Sequence, residues 1–426
     1  MLSSRSRATL DPHSVAFTLL LGSLVTLASF ATDMGLPVLA QTAAALGVAP
    51  GRAALTLSVF IAGFAFGPVI FGPLSDGHGR RPTLLVGGTM FAGFGALGAF
   101  AHSLDALLVW RFLMGVGAGA CQVTVIAMVR DLFVGAEARV KQSYVNMAAG
   151  VAPVIAPTVG VIIATMGGWR AIYAALAIGG TVLVTLVALQ LGESRTGGAA
   201  PTFRGAINNY MHVVAHPITF GYVLVVALNF GSLFAYVSGS SLVLIGLYGV
   251  SRRVYGVLFA ITSFGLILGA LISARLSRRG VTHMRLIVCG MVAIAGTAIL
   301  IFALVLLRWI PVWMLVSLAF VGFVGHGVVR PGAIQGALDP MPEIAGVASA
   351  VMSGVQMLTG AISSAIVAAT FDGRTALALA APMAISAVVS TIVYAFVVRR
   401  AEFHQMRTRT ESGRYILSPG RTPNAS

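Results

Sequence analysis

The sequence predicts an all-α integral membrane protein with twelve transmembrane helices in two pseudo-symmetric bundles of six. Of its 426 residues, 58% are hydrophobic and only 9% are charged, whereas soluble domains carry about 25% charged residues. Windows of about 20 apolar residues, enough to cross a hydrocarbon core, recur twelve times. Short motifs also recur at an offset of roughly 200 residues. Together these observations indicate a duplicated membrane fold.

The first predicted span, residues 15–38, follows a short segment that contains Arg5 and Arg7. This beginning resembles a signal peptide, but eleven further spans follow, so we interpret it as a retained helix. Turn-forming and polar residues separate the other spans of the first bundle, at 53–74, 83–101, 107–130, 143–165 and 169–191. The second bundle is predicted at 217–240, 254–274, 284–307, 311–330, 344–370 and 375–398.

The domains follow from these spans. Residues 1–14 form a cytoplasmic N-terminus, 15–191 the first bundle, 192–216 a polar cytoplasmic linker, 217–398 the second bundle and 399–426 a basic cytoplasmic tail. Residues 71–81, after the second span, resemble residues 272–280, after the eighth. Residues 167–170 and 371–374 form a second matching pair. Such repeats are typical of transporters that bind substrate at mid-membrane, between the two halves.

The net charge of +15 is distributed unevenly between the two sides of the predicted spans. Twenty of the 27 Lys and Arg residues lie on one side, with both termini, and six lie on the other. The positive-inside rule therefore places both termini in the cytoplasm. Nucleic-acid binding is not expected, because no basic stretch alternates with stacking aromatic residues. Cys121 and Cys289 each lie within an apolar span and are interpreted as buried small hydrophobic residues.

Asp33 is the one acidic residue within the predicted spans. A carboxylate at membrane depth costs about 2.5–3.5 kcal/mol or more, so such residues usually carry ions, protons or substrate. We expect Asp33 to carry a proton during transport. The alternative, a helix cap or an interfacial residue, would apply if the first helix ended at Ala31; the apolar residues 36–40 argue against it.

Other classes of function lack their usual residues. An intramembrane enzyme would need a pair of membrane-embedded acids, a His/Asp pair or a metal cluster. The spans contain one acid and no His-x₃-His or His-Glu-x₂-His pattern, so an enzyme or a metal site is not expected. A G-x₄-G-K-[ST] loop is also absent, which excludes ATP as the energy source by this route. We therefore expect no cofactor and a transporter driven by a proton gradient.

The loop after the second span carries the most specific motif. Residues 72–82 match G-x-L-[AS]-D-x-x-G-R-[RK] at the correct spacing, and this segment resembles the loop signature of the major facilitator superfamily. The resemblance implies a gate on the cytoplasmic side, with Asp131 at the end of the fourth span pairing with a loop arginine. The gate residues are then Gly72, Asp76, Gly79, Arg80, Arg81 and Asp131. Simple surface ion pairs are the alternative.

Two further segments resemble signatures of proton-coupled drug antiporters within that superfamily. Residues 107–117 resemble the signature of the fourth helix, with Arg111 at the position implicated in proton transfer and Met114 in place of a glutamine. Arg111 could instead snorkel to the interface. Residues 150–161 resemble the antiporter motif of the fifth helix, here with Ala156 and Val161 in place of glycines; its expected functional positions are Pro153, Pro157 and Gly160. This motif favours export over uptake.

Several fragments are similar to the bicyclomycin/chloramphenicol resistance (Bcr/CflA) branch, in which an aromatic residue usually stands where this chain has Gly35. Substrate contacts are expected from Asn229, Tyr236, Gln122 and Gln356, although an isolated amide in a helix often bonds only a neighbouring helix. His326 is interpreted as structural, and Arg330 as a residue that snorkels or belongs to the positive inner side.

The expected function is proton-coupled efflux of drugs or antibiotics by alternating access across a bacterial inner membrane. The expected partners are a small hydrophobic drug or metabolite, protons and the lipid bilayer, and the expected state is a monomer. Proton-coupled uptake by a symporter, or export of a small metabolite, remains the alternative.

Overall fold

The computed structural model describes residues 10–194 and 210–401, and within these ranges the chain is helical, without strands. The first half contains α1 to α6, at Val15–Asp33, Leu39–Ala45, Pro50–His78, Arg80–Ala99, Leu104–Leu132 and Gly135–Gln190. The second half contains α7 to α12, at Pro217–Ser241, Arg252–Arg278, His283–Leu306, Val312–Leu338, Ala345–Thr370 and Leu377–Val393. Residues 195–209 of the predicted linker, 402–426 of the predicted tail and 1–9 lie outside the described residues.

The described part of the chain contains eleven helices long and apolar enough to cross a membrane. The 56-residue α6 is one of them, and its backbone is non-helical at Gly167 and Gly168, where φ is −165° and 66°. A left-handed φ at Gly168 suits a residue without Cβ. The chain turns at this glycine pair, so α6 holds both the fifth and the sixth predicted spans. The prediction of twelve crossings is confirmed, with two of them joined without a separate loop.

The first span differs from its prediction in one respect that affects the functional site. Residues 15–38 were predicted as one helix, but α1 ends at Asp33 and a 3₁₀ turn follows at Leu36–Val38. Pro37 stands in that turn and has no backbone N–H to donate to an α-helix. A short α2 then completes the same continuous apolar span, Val15–Ala45. Asp33 therefore lies at a break within the first span.

Glycines allow α3 and α5 to pack in direct backbone contact. A Cβ at Gly63 would lie 2.0 Å from the Phe112 carbonyl oxygen, and a Cβ at Gly115 would lie 2.1 Å from that of Phe60. Small residues at this spacing let two helices approach closely, which replaces the hydrophobic driving force that is absent between helices in lipid. The outer surface carries large apolar side chains such as Ile162, which is 60% exposed, as expected for contact with lipid.

The two bundles touch mainly at one end. We call the end that carries Gly79, Arg80 and Arg278 the basic end, and the other the opposite end. At the opposite end, the Ser58 hydroxyl donates a hydrogen bond of 2.8 Å to Ser364 of the other bundle. Three further contacts join the bundles there: Gln41 with Arg252, Gly51 with Ala368 and Thr158 with Gly256.

Toward the basic end, the first half of α6 is largely exposed around its circumference, including Asn146. The described contacts between the bundles are therefore concentrated at the opposite end, whereas at the basic end Arg130 of the first bundle approaches Gly346 of the second.

The two cysteines occupy different environments. Cys121 is fully buried, as predicted, but Cys289 on α9 is exposed. The prediction of two buried cysteines was wrong for Cys289, because the apolar helix that carries it presents that face outward.

Candidate functional site

Asp33 is the last residue of α1 and is only 4% exposed. Its carboxyl group lies next to the Thr32 hydroxyl. A carboxylate caps a helix at its N-terminus, where backbone N–H groups are free, whereas a C-terminus presents carbonyl oxygens. The position of Asp33 at the end of α1 therefore gives it no capping role. The chain also continues as apolar helix beyond the break, so the break lies within one continuous apolar span, Val15–Ala45.

Tyr255 of the second bundle lies within electrostatic range of Asp33. Its hydroxyl group shares a hydrogen bond of 3.0 Å with the Ser240 hydroxyl, and both residues are buried. Tyr236 lies one turn before Ser240, on α7, with its hydroxyl group next to that of Thr262. Tyr255 thus faces Asp33 from across the bundle interface, and its hydroxyl group is hydrogen-bonded within the second bundle.

The motif in α6 packs against the same break. A Cβ at Gly160 would lie 2.2 Å from the Met34 carbonyl oxygen, so only glycine permits this approach. The preceding Pro157 is buried, and Thr158 contacts Gly256 on α8. Pro153 lies one turn earlier and is partly buried. The motif therefore joins the Asp33 break on one side to the second bundle on the other.

Arg111 is buried, with 4% exposure, and its Nε donates a hydrogen bond of 3.1 Å to the Thr56 carbonyl oxygen. Its guanidinium group lies 4.5 Å from the ring centroid of Phe60 and 5.7 Å from that of Tyr173. The alternative that Arg111 snorkels to the interface is contradicted by this burial. Arg111, Thr32 and Gly35 line one small cavity within the first bundle. The structure does not pair Arg111 directly with Asp33.

At the basic end, the structure brings three predicted gate residues together. The Arg80 Nη1 donates to Asp76 Oδ1 at 2.6 Å, and its Nε donates to Asp131 Oδ2 at 2.6 Å. Arg80 is 7% exposed, so these ion pairs are more shielded from water than ordinary surface pairs. Gly79 has a φ of 104° and directs the chain from α3 into α4. Arg81 donates instead to the Ala188 carbonyl oxygen at 2.7 Å, and Gly72 has open space around it.

Sequence reasoning missed Glu193 in this network. Its carboxylate accepts hydrogen bonds from the backbone N–H groups of Arg80, at 2.9 Å, and Arg81, at 3.2 Å. It thus binds the positive N-terminal end of α4. Glu193 follows the sixth crossing in a Gly-Glu-Ser segment, but its target is more than 100 residues earlier in the chain. No local pattern could have identified that contact.

The four expected substrate contacts do not form a single cluster. Tyr236 is fully buried, with its ring 5.3 Å from that of Phe323 in an edge-on arrangement. Gln356 is 5% exposed and lies on the same face of α11 as Gly360 and Ser363, which contact α7.

Gln122 is partly exposed on α5. Asn229 is 6% exposed, and its Nδ2 has no hydrogen-bond partner.

A metal site is not formed by the residues that the structure describes, since no three His, Cys, Asp or Glu side chains come together there.

Comparison with known proteins supplies the family. Residues 21–364 match the family model described as Major Facilitator Superfamily. The chain is 31% identical to an uncharacterized MFS-type transporter of Bacillus subtilis, over 89% of this chain and 94% of that protein. It is 30% identical to a bicyclomycin resistance protein homolog of Haemophilus influenzae, over 90% and 96% of the two chains. The fold is also similar to that of a bacterial homolog of the lysosomal transporter Spinster, with a TM-score of 0.65 at 14% identity, over 90% and 95% of the two chains.

Proposed function

The chain belongs to the Major Facilitator Superfamily, and from this premise we propose that it exports small drugs or antibiotics across the bacterial inner membrane in exchange for protons. The resistance named in the Haemophilus influenzae relative supports a drug as substrate. The observation that carries the proposal is Asp33, an acid buried at a break in the first span, directly beneath the end where the two bundles are in contact.

The proposed mechanism is alternating access. With the basic end in the cytoplasm, as the positive-inside rule requires, this structure is the inward-open state. Asp33 would release its proton to the cytoplasm in this state and bind one from the periplasm when the opposite end opens. Drug binding and proton release favour each other, and this linkage is reciprocal.

The remaining site residues have distinct proposed roles. Gly160 and Pro157 hold the Asp33 break against the second bundle, so that opening of the opposite end changes the surroundings of Asp33. Arg80, Asp76 and Asp131, with Glu193, form the gate of the cytoplasmic end. Arg111 keeps the cavity next to Thr32 polar and hydrated. The transporter works as a monomer without a cofactor, within the lipid bilayer.

The test is proton flux in everted membrane vesicles energised to an acid interior. We expect chloramphenicol or bicyclomycin to cause proton release in wild type and none in Asp33→Asn. Asp105→Asn is the matched control, because Asp105 is an exposed acid in the first turn of α5, and it should behave as wild type.

Proton release that persists in Asp33→Asn would exclude Asp33 as the obligatory carrier. If no compound causes release in either protein, while the energised vesicles lose a preloaded solute, the alternative of proton-coupled uptake would replace export.

A further inference from the structure

Arg330, on α10, has no ion pair, hydrogen bond or ring contact with any residue that the structure describes, although it lies within the membrane portion of the chain. Its side chain is exposed, although His326 and Ala333, on the same face of α10, are buried. An exposed arginine among buried neighbours on a helix face borders an internal space rather than lipid. The space is the one between the bundles.

The helical register supports this placement. Arg330 lies seven residues after Phe323 and four after His326, which puts all three on one face of α10. Phe323 and His326 are buried on that face, toward the bundle interior. The lipid-facing side is different and carries Trp313 and Val321, which are 70% and 45% exposed. Arg330 therefore does not snorkel outward, which was one of the two interpretations from the sequence.

Asn229 stands at the same level on the facing helix. Helices α7 and α10 run antiparallel, with Tyr222 against Gly336 near one end and Tyr236 against Phe323 near the other. Asn229 is midway between the two tyrosines, and Arg330 is midway between their two partners. The seven-residue spacing of Tyr222, Asn229 and Tyr236 puts Asn229 on the face of α7 that packs against α10.

Two donors without a described partner thus occur at one level between α7 and α10. The Asn229 Nδ2 is buried without an acceptor, which costs about 1–3 kcal/mol unless a ligand or water supplies one. The guanidinium of Arg330 has five N–H donors, no acceptor and a permanent charge. The acids that the structure describes pair elsewhere or lie outside hydrogen-bonding range of Arg330.

From these positions we infer that Arg330 and Asn229 form a subsite for a negatively charged group of the exported compound, such as a carboxylate. Planar guanidinium groups bind carboxylates through two parallel hydrogen bonds. The amide of Asn229 then donates to the same group or to an adjacent oxygen. This inference rests on the proposed function and narrows it, because it predicts that compounds with an anionic group are preferred over neutral ones on the same scaffold.

The test compares chloramphenicol with chloramphenicol hemisuccinate, which adds one carboxylate to the same scaffold. Binding to purified protein in detergent is measured by quenching of tryptophan fluorescence, which requires no proton gradient. In wild type we expect the hemisuccinate to bind at least about tenfold more tightly, as for a hydrogen bond to a charged group. Arg330→Gln should abolish this preference, Arg330→Lys should keep part of it, and Asn229→Ala should reduce it.

The matched control is Arg275→Gln, which removes the same charge from an exposed position near the basic end of α8 and should keep the wild-type preference. Gel filtration and thermal melting establish that each variant is folded, and Arg330→Lys covers the case in which Arg330→Gln is not. Competition by sodium phosphate or chloride at equal ionic strength distinguishes a general anion site, which would overturn the assignment to substrate.

Equal binding of the two compounds to wild type, or a preference that survives in Arg330→Gln, would also overturn the inference. Neither result would bear on proton exchange, because the vesicle assay with Asp33→Asn tests exchange independently of charge on the drug.

Discussion

Two glycines near Asp33 differ in whether the structure has room for a larger side chain at their positions. Gly35 has a φ of −77°, which any L-residue adopts, and a Cβ there would meet no atom within 4 Å. Gly160 lies against the Met34 backbone and leaves no room for a methyl group. Glycines that look alike in the sequence therefore differ in whether they tolerate substitution, and the difference depends on the atoms that each glycine contacts in the fold.

We expect Gly35→Ala to be stable and active. Removing backbone freedom from the unfolded chain stabilises by about 0.4–1 kcal/mol where the conformation is compatible, so the apparent melting temperature in detergent should rise slightly. Drug-dependent proton release should stay near the wild-type rate. A fall in melting temperature would show that the cavity beside Gly35 is filled by a group that the alanine displaces.

Gly160→Ala should have the opposite effect. The methyl group would force α6 away from the Met34 carbonyl, a type of overpacking that costs about 1–3 kcal/mol. We expect a lower melting temperature and at least a tenfold loss of drug-dependent proton release. Gly150→Ala in the same helix, where a Cβ has open space, is the matched control. Unchanged transport in Gly160→Ala would remove the α6 motif from the coupling mechanism.

At the scale of the helices, α4 begins with its backbone N–H groups bound to Glu193 rather than to a residue of its own sequence. This contact joins the loop after the second crossing to the end of the sixth. The carboxylate also occupies the place of a side chain at Gly79, where a Cβ would lie 2.5 Å from Glu193 Oε2. The predicted gate motif therefore belongs to a network that also includes Glu193, from the end of the sixth crossing.

Replacing Glu193 with alanine should weaken the beginning of α4 by about 1 kcal/mol, as for the loss of a helix-capping side chain. Glu193→Gln retains an amide oxygen as acceptor and should lose less. The measurement is the melting temperature in detergent at low and high salt, with Glu343→Ala as a control at an exposed acid of the same end. If Glu193→Ala melts like wild type at low salt, the contact does not stabilise α4.

The elements that could be predicted are those with a local signal. The length of the apolar segments predicted the twelve crossings, and the spacing within the loop motif identified Asp76 and Arg80. Both signals depend only on residues that are close in sequence. The end of α1 at Asp33 was missed because Pro37 acts through a 3₁₀ turn that hydropathy does not detect. The orientations of Arg330 and Cys289 were missed because an apolar helix carries little periodicity to show which face meets protein and which meets lipid.

For the whole molecule, the contact between Ser58 and Ser364 offers a direct test of alternating access. The two hydroxyl groups are 2.8 Å apart across the bundle interface, so cysteines at both positions should form a disulfide in this state. We expect oxidation of Ser58→Cys/Ser364→Cys, in a background with Cys289→Ser, to stop transport, and reduction to restore it. Each single cysteine variant should transport normally under both conditions. Full activity of the cross-linked protein would show that these ends need not separate.

The charge of Arg330 also bears on how the membrane voltage drives transport. If the cargo is an anion, each cycle carries one negative charge out while one proton enters, so two elementary charges move in the direction favoured by a negative cell interior. Each charge is worth about 2.3 kcal/mol per 100 mV. Export would then be electrogenic, and the voltage alone would continue to drive it in an alkaline medium, where the pH difference across the membrane vanishes or reverses.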